Sequence, residues 1–219
     1  MLDLEKKGAG RNDLKGGDGT SDKLTATYNS AVLATRKSHD DCLQVHLSYC
    51  DHVRRCVASG HVSDGQMRAC FETAVNKMHE MHPNSAGTRM LRIYWGECEA
   101  FTAGDVDYAR KVWDQALKGC KQLEVWENVI ALERSVRPGG QARALLKKGC
   151  NLLEGTAQEA LARVYVDYER REGDLESFIK AVEKYPGDFP TESAAASNLL
   201  VNHIFVLVEL SACSGMPCL

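Results

Sequence analysis

Apolar residues recur along the chain with helical spacing, and the helices that this pattern predicts come in pairs. The first helices of three pairs lie at residues 93–99, 125–134 and 164–170. Their second helices lie at residues 108–117, 141–150 and 175–182. Gly or Pro stands in each connecting turn, because Gly accepts the left-handed backbone of a helix end and Pro cannot continue a helix. The pattern therefore predicts three helix hairpins.

A glutamate recurs near the end of each first helix, at Glu99, Glu133 and Glu169. The steps between the copies are 34 and 36 residues, which is the period of helical repeat arrays. A single hairpin of this kind cannot bury its apolar face alone, so neighbouring hairpins have to stack. We therefore predict an all-α fold, a right-handed superhelical solenoid of antiparallel helix hairpins over residues 23–190.

Large side chains also recur at equivalent positions of the predicted helices. The first helices carry aromatic residues at Trp95, Trp126 and Tyr165. Each second helix has a bulky residue three positions before a small one, and residues at this spacing share a face. The pairs are Trp113 with Ala116, Leu146 with Gly149, and Phe178 with Ala181. We expect each small residue to let a neighbouring helix approach closely.

A fourth, more divergent hairpin is predicted from residues 45–55 and 64–75. Tyr49 takes the aromatic position of its first helix, and Phe71 and Ala74 take the bulky and small positions of its second. Val53 stands where the other units have glutamate. Residues 28–35 are typical of a second helix whose first helix is not in the chain. The predicted array has three clear units, one weaker unit and half of another.

The recurring glutamates are better explained by structure than by catalysis, since each unit carries one at an equivalent place. Across the turn of its own hairpin, we expect Glu99 to meet Arg110 and Glu133 to meet Arg143. The last unit has Leu175 in place of the arginine, so no pair is expected for Glu169. Partly exposed ion pairs contribute only about 0.2–1 kcal/mol, and their expected role is to fix how two helices meet.

Both ends of the chain differ from the repeats. Residues 1–22 are polar and Gly-rich, which predicts a disordered leader. Residues 191–219 form a tail in which 199–210 are strongly apolar. That stretch is shorter than the 20 or so apolar residues of a membrane span. We expect it to form a helix that caps the last repeat; the alternative is a truncated end that exposes apolar residues.

The charge balance does not favour direct RNA binding by this chain. Lys and Arg number 27 against 30 Asp and Glu, for a formal net charge of −3. A protein that grips phosphates usually has a basic excess or a basic stripe. The pairs at 54–55 and 147–148 are more typical of solvated helix faces, although a local basic face stays open.

Nine cysteines raise the question of a metal site or disulfides. No secretory signal precedes them, so reduced thiols are expected. Cys42, His46 and Cys50 share one helical stripe, with His79 and His82 as the only partners at hand. A single helix cannot surround a tetrahedral ion, and no second ligand segment closes the site. We therefore predict no metal.

Motifs of catalysis are missing from the sequence. The Gly-rich stretches at 8–10 and 16–19 lack the Gly-Lys-Ser/Thr of a phosphate loop. The sequence has no Gly-x-Ser-x-Gly turn around a nucleophile. We predict neither a catalytic site nor a cofactor.

The recurring pattern resembles the half-a-TPR (HAT) repeat of RNA-processing proteins. It combines Trp-x-x-aromatic-x-x-x-Glu, a Gly-rich turn and Ala-Arg followed by apolar positions, and it lacks the Gly-Tyr and Pro signature of tetratricopeptide repeats. The resemblance covers about residues 28–185. Within the family, residues 45–57, 67–75 and 126–140 are most similar to factors that help reassemble the U4/U6 snRNP.

The resemblance implies a nuclear scaffold that docks spliceosomal or snRNP proteins and can form a homodimer. RNA contacts in such relatives come mainly from separate RNA-recognition motifs, and nothing in this chain resembles one. Two alternatives stay open. One is a TPR-like adaptor that holds a peptide tail, for which no repeated carboxylate clamp is visible. The other is a HAT factor of mRNA 3′-end or rRNA processing.

Overall fold

A computed structural model describes residues 19–83, 85–136 and 140–186, with side chains from residue 23 onward. All regular structure in these ranges is helical, so the predicted all-α class is confirmed for them. The helices are α1 Gly19–Thr35, α2 His39–Ala58, α3 Asp64–Met81, α4 Ala86–Cys98, α5 Val106–Leu117, α6 Leu123–Val136, α7 Ala142–Leu152, α8 Gly155–Glu172 and α9 Leu175–Lys184.

The ends of the predicted array meet the structure only in part. Helix α1 begins at Gly19, so the predicted leader of residues 1–22 is wrong for its last four residues. Residues 1–18, the predicted tail at 191–219 and the turn at 137–139 lie outside the described residues.

Packing follows chain order. We call α2, α4, α6 and α8 the A helices, and α3, α5, α7 and α9 the B helices. The hairpin α2–α3 is the first unit, α4–α5 the second, α6–α7 the third and α8–α9 the fourth. Each helix packs on the next along the chain, within a pair and between pairs. The A helices also pack on one another, α2 on α4, α4 on α6 and α6 on α8, whereas the B helices contact one another less.

Local sequence explains where several helices begin. The hydroxyl of Ser63 caps α3 by accepting the Gln66 amide, and the Gln66 side chain accepts the Ser63 amide in return. The carboxylates of Asp105 and Asp174 cap α5 and α9 in the same way. A side-chain oxygen at this position satisfies an amide that has no partner inside the helix.

Helix α4 ends in a π-helical turn, Glu99–Ala103. Gly104 closes the turn with a φ of 75°, in the left-handed region that glycine adopts at little cost. The amide of Asp105 then donates to the Glu99 carbonyl over 2.8 Å. Phe101, within the turn, is 54% exposed.

Buried apolar side chains form two clusters that meet at α5. The first cluster includes Phe71, Met67 and Met78, and the second includes Trp126 and Leu146. Val112 of α5 belongs to the first cluster and Trp113 to the second. Helix α5 therefore joins the two halves of the array.

Two glycines permit close approach at the bulky positions. A methyl group on Gly96 would lie 2.5 Å from Cδ1 of Trp113, whose indole N–H donates to the Ile93 carbonyl over 3.3 Å. A methyl group on Gly149 would lie 2.9 Å from Cε3 of Trp126. Each glycine therefore makes room for a tryptophan ring.

Candidate functional site, a ladder of arginine–glutamate pairs

The three recurring glutamates are buried, with exposures of 0%, 0% and 1% for Glu99, Glu133 and Glu169. Each one meets an arginine from the B helix of the preceding unit. The pairs are Arg68 with Glu99, Arg110 with Glu133, and Arg143 with Glu169. We call this series the Arg–Glu ladder and each pair a rung.

The first rung is bidentate. Arg68 donates through Nε to Glu99 Oε1 over 3.0 Å and through Nη2 to Oε2 over 2.8 Å. The indole N–H of Trp95 donates to the same carboxylate over 2.9 Å. Arg68 also donates to Asp105, the cap of α5, over 2.8 Å and lies 4.1 Å from the centre of the Tyr108 ring. This rung thus ties α3, α4 and α5 together.

The second rung has the same form. Arg110 donates through Nη2 to Glu133 Oε1 over 2.6 Å and through Nε to Oε2 over 3.1 Å. The backbone amide of Gln141, at the start of α7, donates to Oε1 over 3.1 Å. Glu133 therefore links α5, α6 and α7, as the first rung links α3, α4 and α5.

The third rung joins Arg143 Nε to Glu169 Oε1 at 2.8 Å. Gly173, just after α8, lies against the same glutamate. A methyl group on Gly173 would overlap the Glu169 carboxylate and would lie 2.5 Å from its backbone oxygen. The small residue at 173 is therefore part of this rung.

These contacts correct the predicted partners. Glu99 meets Arg68 rather than Arg110, and Glu133 meets Arg110 rather than Arg143. Glu169, for which no pair was expected, meets Arg143. The predicted role of orienting helices applies between neighbouring units, because each arginine reaches forward to the next A helix instead of back across its own turn.

Arg68 was missed by the sequence analysis, although a signal for it exists. It lies three positions before Phe71, as Arg110 lies before Trp113 and Arg143 before Leu146. Val53 stands where the other units have glutamate, so pairing within one hairpin offers Arg68 no partner. An arginine on a B helix does not need a glutamate in its own unit, because its partner belongs to the next.

The first unit has a different buried acid, Asp51. Its Oδ1 accepts from Arg54 Nη2 over 2.7 Å and from the Tyr94 hydroxyl over 2.8 Å. Arg55 Nε lies 3.2 Å from Oδ2. Since Tyr94 belongs to α4, this cluster links the A helices of the first two units.

The contacts of the ladder shift the pKa values of its arginines. The hydrogen bonds that Arg68 and Arg110 donate to Glu99 and Glu133 raise the pKa of each arginine. For Arg143, burial opposes the charged form, but pairing with Glu169 raises its pKa overall. The amide of Tyr108, followed by Arg68, lowers the pKa of Asp105. Arg68 and Asp105 are therefore both charged at neutral pH.

The cysteine and histidine positions for which a metal was considered and not predicted have other neighbours. His46 is buried, and its Nδ1 lies 2.8 Å from the Tyr28 hydroxyl. Cys50 Sγ lies 3.9 Å from Cys70 Sγ, across α2 and α3. Within the part of the chain that the structure describes, no group of three or more ligating side chains has a metal-binding arrangement.

The remaining repeat positions lie in the packed interior or at its edge. Tyr49 stacks on Tyr28 with ring centres 4.0 Å apart, and Phe71 stacks on Trp95 at 5.9 Å. The buried members are Ala74, Trp113, Ala116, Trp126, Leu146, Tyr165 and Ala181. Phe178 is only partly buried against them.

Two apolar side chains of the second unit face solvent: Met90 is 38% and Phe101 54% exposed. They lie 11 residues apart, or about three helical turns. None of the helices in the described ranges has the length and apolar character that crossing a membrane requires.

Comparison with known proteins gives one informative similarity. No protein-family profile matches the chain. A Danio rerio protein named "Spliceosome associated factor 3, U4/U6 recycling protein" is 25% identical over 195 residues, which cover 84% of this chain and 19% of that protein. The chain spans about a fifth of the length of this relative. It is thus distantly related to a splicing factor.

Proposed function

We propose that this chain is a HAT-type docking scaffold of pre-mRNA splicing, acting in the nucleus on U4/U6 snRNP assembly. The observation that carries the proposal is the similarity to the U4/U6 recycling protein, because it covers 84% of this chain. A similarity of that extent includes most of the helical array and not only a short shared motif.

The packing supports the solenoid form of the scaffold. A helices pack on one another along the array, while B helices have fewer mutual contacts. When the A helices pack more closely than the B helices, a stack of hairpins curves so that the A helices line its concave face. The ladder favours the same form, because every rung joins one unit to the next.

We place the docking surface on the A-helix side of the second unit. Phe101 and Met90 supply exposed apolar area there, and exposed aromatic residues are common energetic centres of protein interfaces. Phe101 lies in the π-helical turn and is 54% exposed, so a partner can reach its ring. Neither catalysis nor a cofactor forms part of the proposal.

The test is recovery of snRNP components from nuclear extract on the immobilised chain. We expect U4/U6 snRNP proteins, measured by mass spectrometry, to be retained after nuclease treatment. Phe101→Asp should lower their recovery at least fivefold. Leu152→Asp is the matched control, since Leu152 is 45% exposed at the end of a B helix. Chaperones recovered without snRNP proteins would instead indicate a TPR-like adaptor.

Two further results separate the alternatives. Recovery of 3′-end or ribosomal RNA processing factors in place of snRNP proteins would indicate a role in another branch of RNA processing.

We also propose that the scaffold self-associates, as the family resemblance implies. Sedimentation equilibrium of the purified chain would give twice the monomer mass of 24.2 kDa, and a monomer at all concentrations would contradict this part.

A further inference from the structure

Three polar atoms without partners lie on one face of α4, near its beginning. Ser85 Oγ, Thr88 Oγ1 and Arg92 Nε are all buried, and none has a hydrogen-bond partner. Their spacing of three and four residues puts them on the same side of the helix. Thr88 as a whole is only 4% exposed. Polar atoms of this kind are rare in folded proteins and call for an explanation.

Charge at this face is also unbalanced. Burial, and then the nearby Arg89 guanidinium, lower the pKa of Arg92. This is the reverse of the ladder arginines, whose pKa is raised by their carboxylate partners. Among the described residues, neither Arg89 nor Arg92 has an ion-pair partner. Two neighbouring cations without an anion favour binding of one.

The end of the helix adds to the attraction. Ser85 stands at the cap position of α4, and its side chain makes no capping hydrogen bond. The beginning of an α-helix carries partial positive charge, which makes it a binding place for phosphate and other anions. The 13-residue length of α4 is ample for this effect. Arg89 and Arg92 are half-buried, so they can be reached from solvent.

We propose that this face of α4, formed by Ser85, Thr88, Arg89 and Arg92, binds a phosphate group on a side chain of a protein partner. Phosphoserine and phosphothreonine carry such a group. The inference rests on the proposed docking role only for its choice of a protein as the source of the phosphate.

A phosphate matches the available donors better than a carboxylate does. One guanidinium can already satisfy both oxygens of a carboxylate. The face of α4 has two half-buried guanidinium groups, whose donors outnumber the oxygens of a carboxylate and suit the three terminal oxygens of a phosphate ester. Replacing the ester with glutamate should therefore weaken binding.

A protein partner is favoured over RNA by the surroundings. RNA binding uses contacts to several phosphates, whereas this face offers one compact set of donors on a chain with a net charge of −3.

The first measurement uses the unmodified chain and inorganic phosphate. In NMR spectra, the Arg92 Nε–Hε signal should shift in a saturable way as phosphate replaces chloride at constant ionic strength. The melting temperature should rise over the same range, because a ligand that binds only the folded state stabilises it. An Arg92 signal that does not move would overturn the proposal without any variant having to fold.

The second measurement compares three probes: N-acetyl-phosphoserine amide, N-acetyl-glutamate amide and an eight-nucleotide oligouridylate. The phosphoserine probe should bind at least tenfold more tightly than either of the others. Equal binding of the glutamate probe would overturn the choice of phosphate. Tighter binding of oligouridylate would overturn the choice of a protein partner. None of these outcomes depends on splicing, so a failed snRNP recovery would remain a separate result.

Arg92→Met separates binding from a structural role. Without phosphate, this variant should melt at a higher temperature than the unmodified chain, because it removes an unpaired, half-buried charge. It should also lose at least tenfold in affinity for the phosphoserine probe. Arg163→Met is the matched control, since Arg163 is exposed on α8, and its affinity should not change. A lower melting temperature for Arg92→Met with unchanged affinity would show a structural role instead.

Discussion

The second rung of the ladder gives a direct test of which helices are joined. In Arg110→Met, the Glu133 carboxylate keeps one described donor, the Gln141 amide at 3.1 Å. It loses two hydrogen bonds from the guanidinium, at 2.6 and 3.1 Å. Removing one partner of a buried ion pair costs about 3–5 kcal/mol. The Arg110 side chain is 17% exposed, so we expect the lower end, about 3 kcal/mol.

A double-mutant cycle identifies the partner. Arg110→Met with Glu133→Leu removes both charges and leaves mainly the Gln141 amide without an acceptor, at a cost of about 1 kcal/mol. Glu133→Leu alone leaves the same amide without an acceptor, at about the same cost, so the coupling energy between positions 110 and 133 should reach about 3 kcal/mol. The matched cycle combines Arg143→Met with Glu133→Leu. Its coupling should stay within about 0.5 kcal/mol of zero, because Arg143 pairs with Glu169 instead.

Urea unfolding followed by far-UV circular dichroism gives the free energies for both cycles. Tryptophan fluorescence on the same samples checks that the two probes report one transition. A coupling between 143 and 133 larger than that between 110 and 133 would refute the pairing between units. That result would instead support pairing across the turn of each hairpin, as between Glu133 and Arg143.

Three further predictions concern close packing and protonation. Gly173→Ala should cost about 1–3 kcal/mol in urea unfolding, because its methyl group would lie 2.5 Å from the Glu169 backbone oxygen. Gly96→Ala should cost a similar amount and change the fluorescence of Trp113, which its methyl group would press on at 2.5 Å. Burial, and then Lys77, lower the pKa of His46 to about 4, so its imidazole is neutral in the folded state. The unfolded chain takes up this proton near pH 6.5, so stability should fall by up to about 3 kcal/mol between pH 6.5 and 4.

Matched variants control these three measurements. Gly65→Ala is the glycine control, because the nearest atom to its added methyl group is 3.9 Å away, and it should be neutral or slightly stabilising. An equal effect of Gly173→Ala and Gly65→Ala would contradict the close packing at Glu169. His46→Asn should flatten the pH dependence of unfolding, and the exposed His79→Asn should leave it unchanged. If the pH dependence of the free energy of unfolding persists in His46→Asn, a group other than His46 is responsible for it.

The helices could be predicted from sequence because their signals are local. Helix α9 runs from Leu175 to Lys184, against a prediction of 175–182, and α6 runs from Leu123 to Val136, against 125–134. Helices α4 and α8 begin earlier than predicted, at Ala86 rather than 93 and at Gly155 rather than 164. Apolar periodicity places each helix, and Gly or Pro ends it. These effects act over a few residues, so a single sequence contains them.

Ion-pair partners could not be predicted in the same way. Arg110 lies in sequence between Glu99 and Glu133, and both acids are near the ends of A helices that pack on α5. Spacing along the chain favoured a partner 11 residues away, yet the structure pairs residues 23 apart. The choice depends on how one hairpin rotates against the next, which is a property of packing between units. The unsatisfied hydroxyl oxygens of Ser85 and Thr88 could not be predicted for the same reason, because packing between helices determines which polar atoms are buried.

The direction of the ladder changes what counts as a module of this protein. Excising the hairpin α4–α5 would leave Glu99 without Arg68 and Arg110 without Glu133, so each cut face would carry an uncompensated charge. A segment that begins with a B helix and ends with the following A helix, such as α5–α6, keeps its rung intact. Recombination, transplantation or duplication of units should therefore be most tolerated at the turns inside hairpins. The turns between hairpins, where sequence repeats are usually divided, are the costly places to cut.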